Sequence, residues 1–436
     1  MQSKFVPGLA FLVLACVSQF AAAQPASSWL IPQTEAARIG LKRAWFGSVD
    51  LQGNRTKLID VKLDNNTLFV QTSAATTQAI DSETGRVIWV AKVGDSRQPC
   101  TPLGVSDARV ALVNGTTLYV LDRKTGQVEW TKRLTGTPAC GPAINEFAVF
   151  CPTMSGRIEV YAIDDATHQN LTNLRINGRT EAQPVSTEMG IAWGTMAGDL
   201  AVCKADASEM LFRHATKFPI VASPTGRGRE VYFGSGSGYL LAYDKSDGRE
   251  RWTFAAGSPI VQSPVPIADS VYALCEDLTM FQVSAATGKQ TWDAQGIRKF
   301  LAASPTRLYT LDSLNRLAIL DSQSGARLST VSLPRYPFAI SNSQNDRLIL
   351  VSDTGLIQSL HEIGREQPLD YRVPKEAPLE MPEKPAPPTP REVPAATGTV
   401  PPAVADPKIE ETVPPSGETP PATDPATPEN DPFKTP

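Results

Sequence analysis

The stretch Asp81–Trp89 reads DSETGRVIW, and 41 residues later Asp122–Trp130 reads DRKTGQVEW. The same phase reaches back to Trp45 and forward to Leu171, Phe212, Trp252, Trp292 and Leu328. Before these large apolar residues come the turns DSETG (81–85), DRKTG (122–126), DKSDG (244–248), SAATG (284–288) and DSQSG (321–325). Two copies lack the glycine and keep an acidic residue, Asp164 and Asp206. Within one period, around Trp252, four short runs follow one another: IVASPT, EVYFGSG, YLLAYD and ERWTFAA, separated by GRGR, SGSG and KSDG. These runs are rich in aliphatic and aromatic residues and have no helical periodicity, so each period is four strands joined by turns.

A period near forty with four strands per copy is the pattern of an all-β propeller, in which each copy is one four-stranded antiparallel blade. Seven copies have a complete set of strands, and an eighth, PFAISNS, DRLILVSD and LIQSLHEI, has no fourth strand before the proline tail. At the other end KRAWFGSVD, around Trp45, is an outer strand without inner partners. The N-terminal strand therefore completes the last blade, giving an eight-bladed ring over 40–366 with no unpaired sheet edge at its junction. Seven blades is the fallback if the Trp45 strand is only an extension.

The repeated turn has a physical role. An aspartate can accept hydrogen bonds from amides of the turn that follows it, and a glycine supplies a positive-φ position that other residues adopt only at a cost. The tryptophan then projects from the outer strand toward the next blade, whose face needs covering. Trp89, Trp130, Trp252 and Trp292, with Gly85, Gly126, Gly248 and Gly288, are the expected blade-docking residues. Because Asp81, Asp122, Asp244 and Asp321 recur with the repeat, they are expected to serve the turns.

The flanks differ from the ring. In residues 1–23, Lys4 precedes the apolar run FVPGLAFLVLACV, and AAAQ supplies small residues for cleavage, as in a secretory signal peptide. VLAC, ending at Cys16, resembles a lipobox, so a lipid anchor there is the alternative to simple cleavage. Residues 24–39 are an N-terminal extension. Residues 367–436 hold roughly half of the 37 prolines and six more acids than bases, a composition that predicts a disordered proline-rich acidic tail. With a net charge of −4 and no long basic run, the chain has no nucleic-acid footprint. The expectation is an exported, periplasmic or envelope-associated monomer, touching membrane only through an anchor at Cys16.

Five cysteines follow the signal: Cys100, Cys140, Cys151, Cys203 and Cys275. None forms a CxxC. CGPAINEFAVFC reads as a hairpin turning at Asn145-Glu146, which sets Cys140 opposite Cys151 as the disulfide candidate, with Cys100 as rival partner. His168, His214 and His361 lie near strand ends of different blades and read as surface-loop residues, so no metal or catalytic triad is expected. SGSGYL (235–240) joins two strands and is a hairpin, whereas a phosphate loop opens a helix. The elements CTP, CGP, SPT, SPV and SPT recur where inner strands begin, a place where a missing amide donor is tolerated.

The turn DxxTGxxxW resembles the tryptophan-docking repeats of pyrroloquinoline-quinone-like (PQQ-like) propellers, strongly in five copies and weakly in two. That resemblance implies the fold more firmly than a function. The family includes quinone-dependent dehydrogenases, which hold the cofactor and calcium over the channel, and non-catalytic propellers, among them those of outer-membrane assembly, which are similar in size and blade number. Dehydrogenases run longer, and many carry a disulfide between adjacent cysteines; here no two cysteines adjoin, and no acidic cluster stands outside the turns. The expected function is a non-catalytic protein-interaction scaffold of the cell envelope, with envelope or secreted proteins as partners. No catalytic, cofactor-binding or metal residue is expected. The alternatives are a PQQ- and calcium-dependent oxidoreductase and a propeller binding a small ligand or polysaccharide.

Overall fold

The computed structural model describes residues 30–372 apart from 50, 52–55, 165–166, 168, 334–335 and 337. The expected signal peptide with Cys16, and the tail beyond Arg372, lie outside the described residues. The chain divides into two units, Met1–Glu376 and Ala377–Pro436, and the second is wholly outside them.

Eight four-stranded antiparallel sheets make the first unit, and within seven of them the strands pair in chain order. Blade 1 is Leu58–Asp64, Thr67–Thr72, Thr76–Asp81 and Val87–Lys92. Blades 2 to 7 follow at 104–133, 143–175, 185–215, 225–255, 265–294 and 297–331. Blade 8 takes Phe338–Ala339, Leu348–Val351 and Leu356–Glu362 from the C-terminal side and Leu41–Ser48 from the N-terminal side. Leu41 stands opposite Glu362 and Ser48 opposite Leu356, so the two ends of the repeat close the ring as the unpaired sets of strands require.

The two middle strands of each blade are covered on both faces by neighbouring blades and are buried along most of their length. Arg109–Asn114 is buried at five of its six positions, whereas the outer strand Val128–Arg133 alternates. The core is a set of inter-blade clusters. In one, Phe69, Ala79 and Trp89 of blade 1 meet Leu103, Val110, Leu112 and Leu121 of blade 2.

Both ends of the described chain lie on the ring. The helix Gln33–Arg38 and Ile31 pack on Leu301 and Tyr309 of blade 7 and on Leu348 and Leu360 of blade 8. After the last strand, residues 363–372 form a strap along the face where inner strands turn into second strands. Arg347, buried, donates to the carbonyls of Arg365, at 3.0 Å, and Glu366. Tyr371 N donates to Gln344 O at 2.8 Å, Tyr371 Oη to Ala303 O at 3.0 Å, and Arg227 Nη1 to Tyr371 O at 2.5 Å. Arg372 then bonds Asn65. Arg227 belongs to blade 5 and Asn65 to blade 1, on opposite sides of an eight-membered ring, so side chains bridge the end of the strap to both sides of the channel mouth.

Candidate interaction surfaces

The repeated turn builds a socket. Asp81 Oδ1 accepts from the amides of Glu83 at 3.2 Å and Thr84 at 2.7 Å, and Gly85 N closes the turn on Asp81 O at 2.8 Å. Asp122 repeats this with Lys124 and Thr125, and the Thr125 hydroxyl holds its carboxyl below the usual range. Gly126 has φ +71°, and a Cβ there would lie 2.5 Å from the Trp89 ring. Trp89 fills that space from blade 1, and its Nε1 donates to Arg123 O at 2.8 Å. Trp45 uses Gly85 and Ser82 O in the same way, Trp252 uses Gly288 and Ala285 O, and Trp292 uses Gly325 and Ser322 O. These four outer strands thus dock their rings over the turn of the following blade. Trp130 packs beside Leu134, Ile144 and Val149 between blades 2 and 3.

Gly248 receives a phenyl ring, Phe212, which has no N–H to donate. His214 Nε2 instead lies 2.6 Å from Gly248 O, and its ring stacks on Tyr243. Burial pushes the Asp244 carboxyl up, but hydrogen bonds from Ser246 and Arg251 and the charge of Arg229 outweigh it and hold that carboxyl down at about 2.

Two apolar residues in the repeat phase do not dock. Every complete outer strand carries a bulge, and the residue that faces the next blade is the one opposite Ala79, Val120, Val160, Val202, Ala242, Gln282 or Ile319. In blades 3 and 7 that residue is Thr172 or Ser329. Leu171 and Leu328 fall on the bulge and are 52% and 55% exposed. A one-residue slip turns a side chain to the other side of the strand, and counting periods could not see the extra residue. The turn facing Thr172 also lacks glycine. Asp206 accepts from Ser208 N at 3.0 Å, and Ala207 takes the positive φ. Gly364, facing Ser329, has nothing within 4 Å of its Cβ position.

The cysteine pairing is corrected. Ala143 stands opposite Phe150 and Asn145 N bonds Ala148 O, so the hairpin turns one residue later than expected, at Glu146-Phe147. The Asn145 side chain caps the amides of Phe147 and Ala148 and fixes the turn there. At the base of the hairpin the Pro138–Thr153 bridge returns to the expected register, but the Cys140 thiol is directed out of the hairpin, 3.6 Å from Ala182 O at the start of blade 4. All five described cysteines are free thiols. Burial, with Glu181 nearby, pushes the Cys140 thiol up to about 12. The histidine reading also changes. His214 and His361 lie within strands, and His361 is buried with Nδ1 2.8 Å from Glu362 O. His168 lies outside the described residues.

Two concavities stand out. At the channel mouth a cavity of about 790 Å³ is lined by residues of seven blades and by the strap. Burial holds the Lys62 ammonium below its usual value there, against the opposing pull of Asp60 and Asp64, and its Nζ donates to Leu103 O at 3.0 Å. Gln183 Nε2 ties blades together by donating to Leu103 O and Pro142 O, carbonyls of the recurring proline elements. Asp64 pairs with Arg123, Glu188 with the buried Lys245, and Asp370 with Arg372. These carboxylates face cations rather than one another, and among the described residues no group of three or more His, Cys, Asp or Glu is placed to hold a metal. The arrangement does not fit the convergent oxygen ligands of calcium.

The second concavity, about 460 Å³, opens in the seam between blades 3 and 4 and is lined by Met154, Arg175, Arg179 and Arg213 among others. Arg213 Nε donates to Asp199 at 2.8 Å and Arg179 pairs with Glu181. Arg175 stands directly opposite Arg157 across the sheet. Met154, and Met196 on the equivalent turn of blade 4, are exposed.

The family profile described as outer membrane protein assembly factor BamB matches residues 43–186 and 159–354. The chain belongs to the BamB family. No curated protein matches it. Among solved structures, BamB from Moraxella catarrhalis is similar with a TM-score of 0.58 and 17% identity, covering 74% of this chain and 98% of that one. The computationally designed Ika8 protein is similar at 0.57 and 17%, covering 71% and 98%. At these identities the likeness shows the propeller fold, in agreement with the PQQ-like repeat. The turn aspartates and docking tryptophans identified in the sequence are brought together as sockets. The groove arginines and the strap gave no signal, since lone arginines and a ten-residue connection have no pattern.

Proposed function

We propose that this BamB-family ring is a non-catalytic protein-interaction scaffold of the cell envelope, acting in the outer-membrane protein assembly after which its family is described. The reading rests on the seam between blades 3 and 4. There Arg157 and Arg175 face each other across adjacent strands, and neither has a carboxylate partner among the described residues. Like charges directly opposite are unfavourable. A partner bringing carboxylates into the groove relieves that repulsion, and exposed Met and Arg side chains are the types that interfaces concentrate. The repeated aspartates and glycines serve turns and sockets, so the propeller supplies a rigid frame that requires neither quinone nor calcium. The apolar run and the small residues AAAQ within residues 1–24 support export of this frame from the cytoplasm.

The test is a pull-down from solubilised envelopes with the full chain, beside its Arg175→Glu variant and a pyrroloquinoline-quinone titration with calcium. The expected result is recovery of defined envelope proteins, weakened by the charge reversal, with no quinone uptake. Stoichiometric, calcium-dependent quinone binding would overturn the scaffold reading.

A further inference from the structure

The outer strand of blade 1, Val87–Lys92, is unlike the other seven. Its four interior residues are Ile88, Trp89, Val90 and Ala91, with no polar side chain among them. Trp89 is buried in its socket, while Val87, Ile88 and Val90 are 46%, 44% and 54% exposed. The interiors of the other outer strands carry Glu129, Asn173, Arg213, Arg251, Asp293 and Lys42 at blades 2 to 6 and 8, and hydroxyls at blade 7.

An outer strand is paired on one side only, and its other row of amides and carbonyls is a template for a further strand. Charged residues are the usual means of blunting such an edge. Here that device is missing from the middle and present at both ends: Arg86 and Lys92 are exposed, and neither makes an ion pair among the described residues.

We propose that this edge is a docking site for an extended segment of a partner polypeptide, which adds to blade 1 as a fifth strand. The segment is apolar at alternate positions along its middle and carries a carboxylate at each end, set about 20 Å apart to meet Arg86 and Lys92. This deepens the scaffold reading and rests on it. A second copy of the chain is the wrong occupant. Two-fold antiparallel pairing centred on Trp89 would set Arg86 of one copy opposite Lys92 of the other, and like charges directly opposite oppose the pairing. The exposed strip is also far smaller than the roughly 1,200 Å² that a stable interface buries.

The experiment measures binding of two labelled peptides to the full-length protein by fluorescence anisotropy. One is Glu-Val-Thr-Val-Thr-Val-Glu with blocked termini, and the other has lysine in place of both glutamates. The glutamate-flanked peptide is expected to bind about tenfold or more tightly than the lysine-flanked one. The preference reverses in the Arg86→Glu/Lys92→Glu protein. Val90→Lys weakens the glutamate-flanked peptide by about tenfold, since the charge blunts the edge. All substituted side chains are exposed, and an unchanged melting temperature checks that the ring is intact. Equal binding of the two peptides, or indifference to Val90→Lys, overturns the proposal. So does a wild-type dimer in sedimentation that Val90→Lys dissolves. If the Val90→Lys protein still recovers every envelope partner of the wild type, the edge proposal fails while the scaffold stands; if the wild type recovers none and takes up quinone, the scaffold itself has failed.

Discussion

The seam between blades 1 and 2 and the seam between blades 3 and 4 are two versions of one joint. In the first, Trp89 lies over Gly126, its indole N–H reaches Arg123 O, and Asp122 holds the turn that makes room for it. In the second, the facing residue is Thr172, the turn has Ala207 at its positive-φ position, and no ring fills a socket. The inner layers are alike: Phe150, Val160, Ile191 and Trp193 pack between blades 3 and 4 as Phe69, Val110 and Leu112 do between blades 1 and 2. The middle strands therefore hold the ring, and the tryptophan sockets add rim closure where the sequence supplies them. The groove with its three arginines opens in a seam that has no filled socket.

The largest effect should come from the closed joint. Trp89 is 7% exposed, and Trp89→Ala leaves a cavity over Gly126 and an unpaired Arg123 carbonyl. The expected loss is about 3–5 kcal/mol, read from urea unfolding followed by far-UV circular dichroism. A loss below about 1 kcal/mol, the size of a single net hydrogen bond, would mean that the socket is ornamental and that the two seams differ in appearance only.

Much of this joint was legible in the sequence, because a turn aspartate, a positive-φ glycine and a tryptophan each leave a residue-specific mark at a fixed spacing. The ring closure was legible too, through an orphan outer strand at one end and three unpaired strands at the other. The failures came from single-residue register. In blades 3 and 7 the docking position, just past the bulge that every outer strand carries, falls on Thr172 and Ser329, and Leu171 and Leu328, one residue earlier, look equally plausible to a periodicity count. In blade 3 the Asn145 cap moved the hairpin turn by one residue, and the Cys140 thiol turned toward Ala182 O of the next blade. The strap's links to blades 5 and 1 are tertiary contacts of Tyr371 and Arg372 with no local signature.

The joint between blades 4 and 5 is intermediate, with Phe212 in the Gly248 socket, and pH should grade it. The Asp244 carboxyl sits at about 2 in the fold against 3.8 as its ordinary value. The native state therefore favours the charged form. The stabilisation is complete above about 4 and is lost as pH falls toward 2. Asp244 is buried, but its partners Arg251 and Arg229 are partly exposed, so the contribution is about 1–2 kcal/mol. Unfolding free energies of the wild type and Asp244→Asn, measured at pH 5 and pH 2, should differ by that amount less at the lower pH. A gap that does not change with pH would show that Asp244 acts only through shape.

The smallest effect is expected at the open joint. Thr172→Ala removes a half-exposed hydroxyl and methyl that fill no socket, so it should change stability by no more than about 0.5 kcal/mol, the range of ordinary surface substitutions. The same urea titration checks it. The value matters because it separates two accounts of the groove. If Thr172→Ala is silent, the rim of this seam is held by the middle strands alone, and the arginine-lined opening can admit a partner without breaking a joint. If the substitution costs as much as Trp89→Ala, the rim is closed at Thr172, and a partner entering the groove would have to work against that closure.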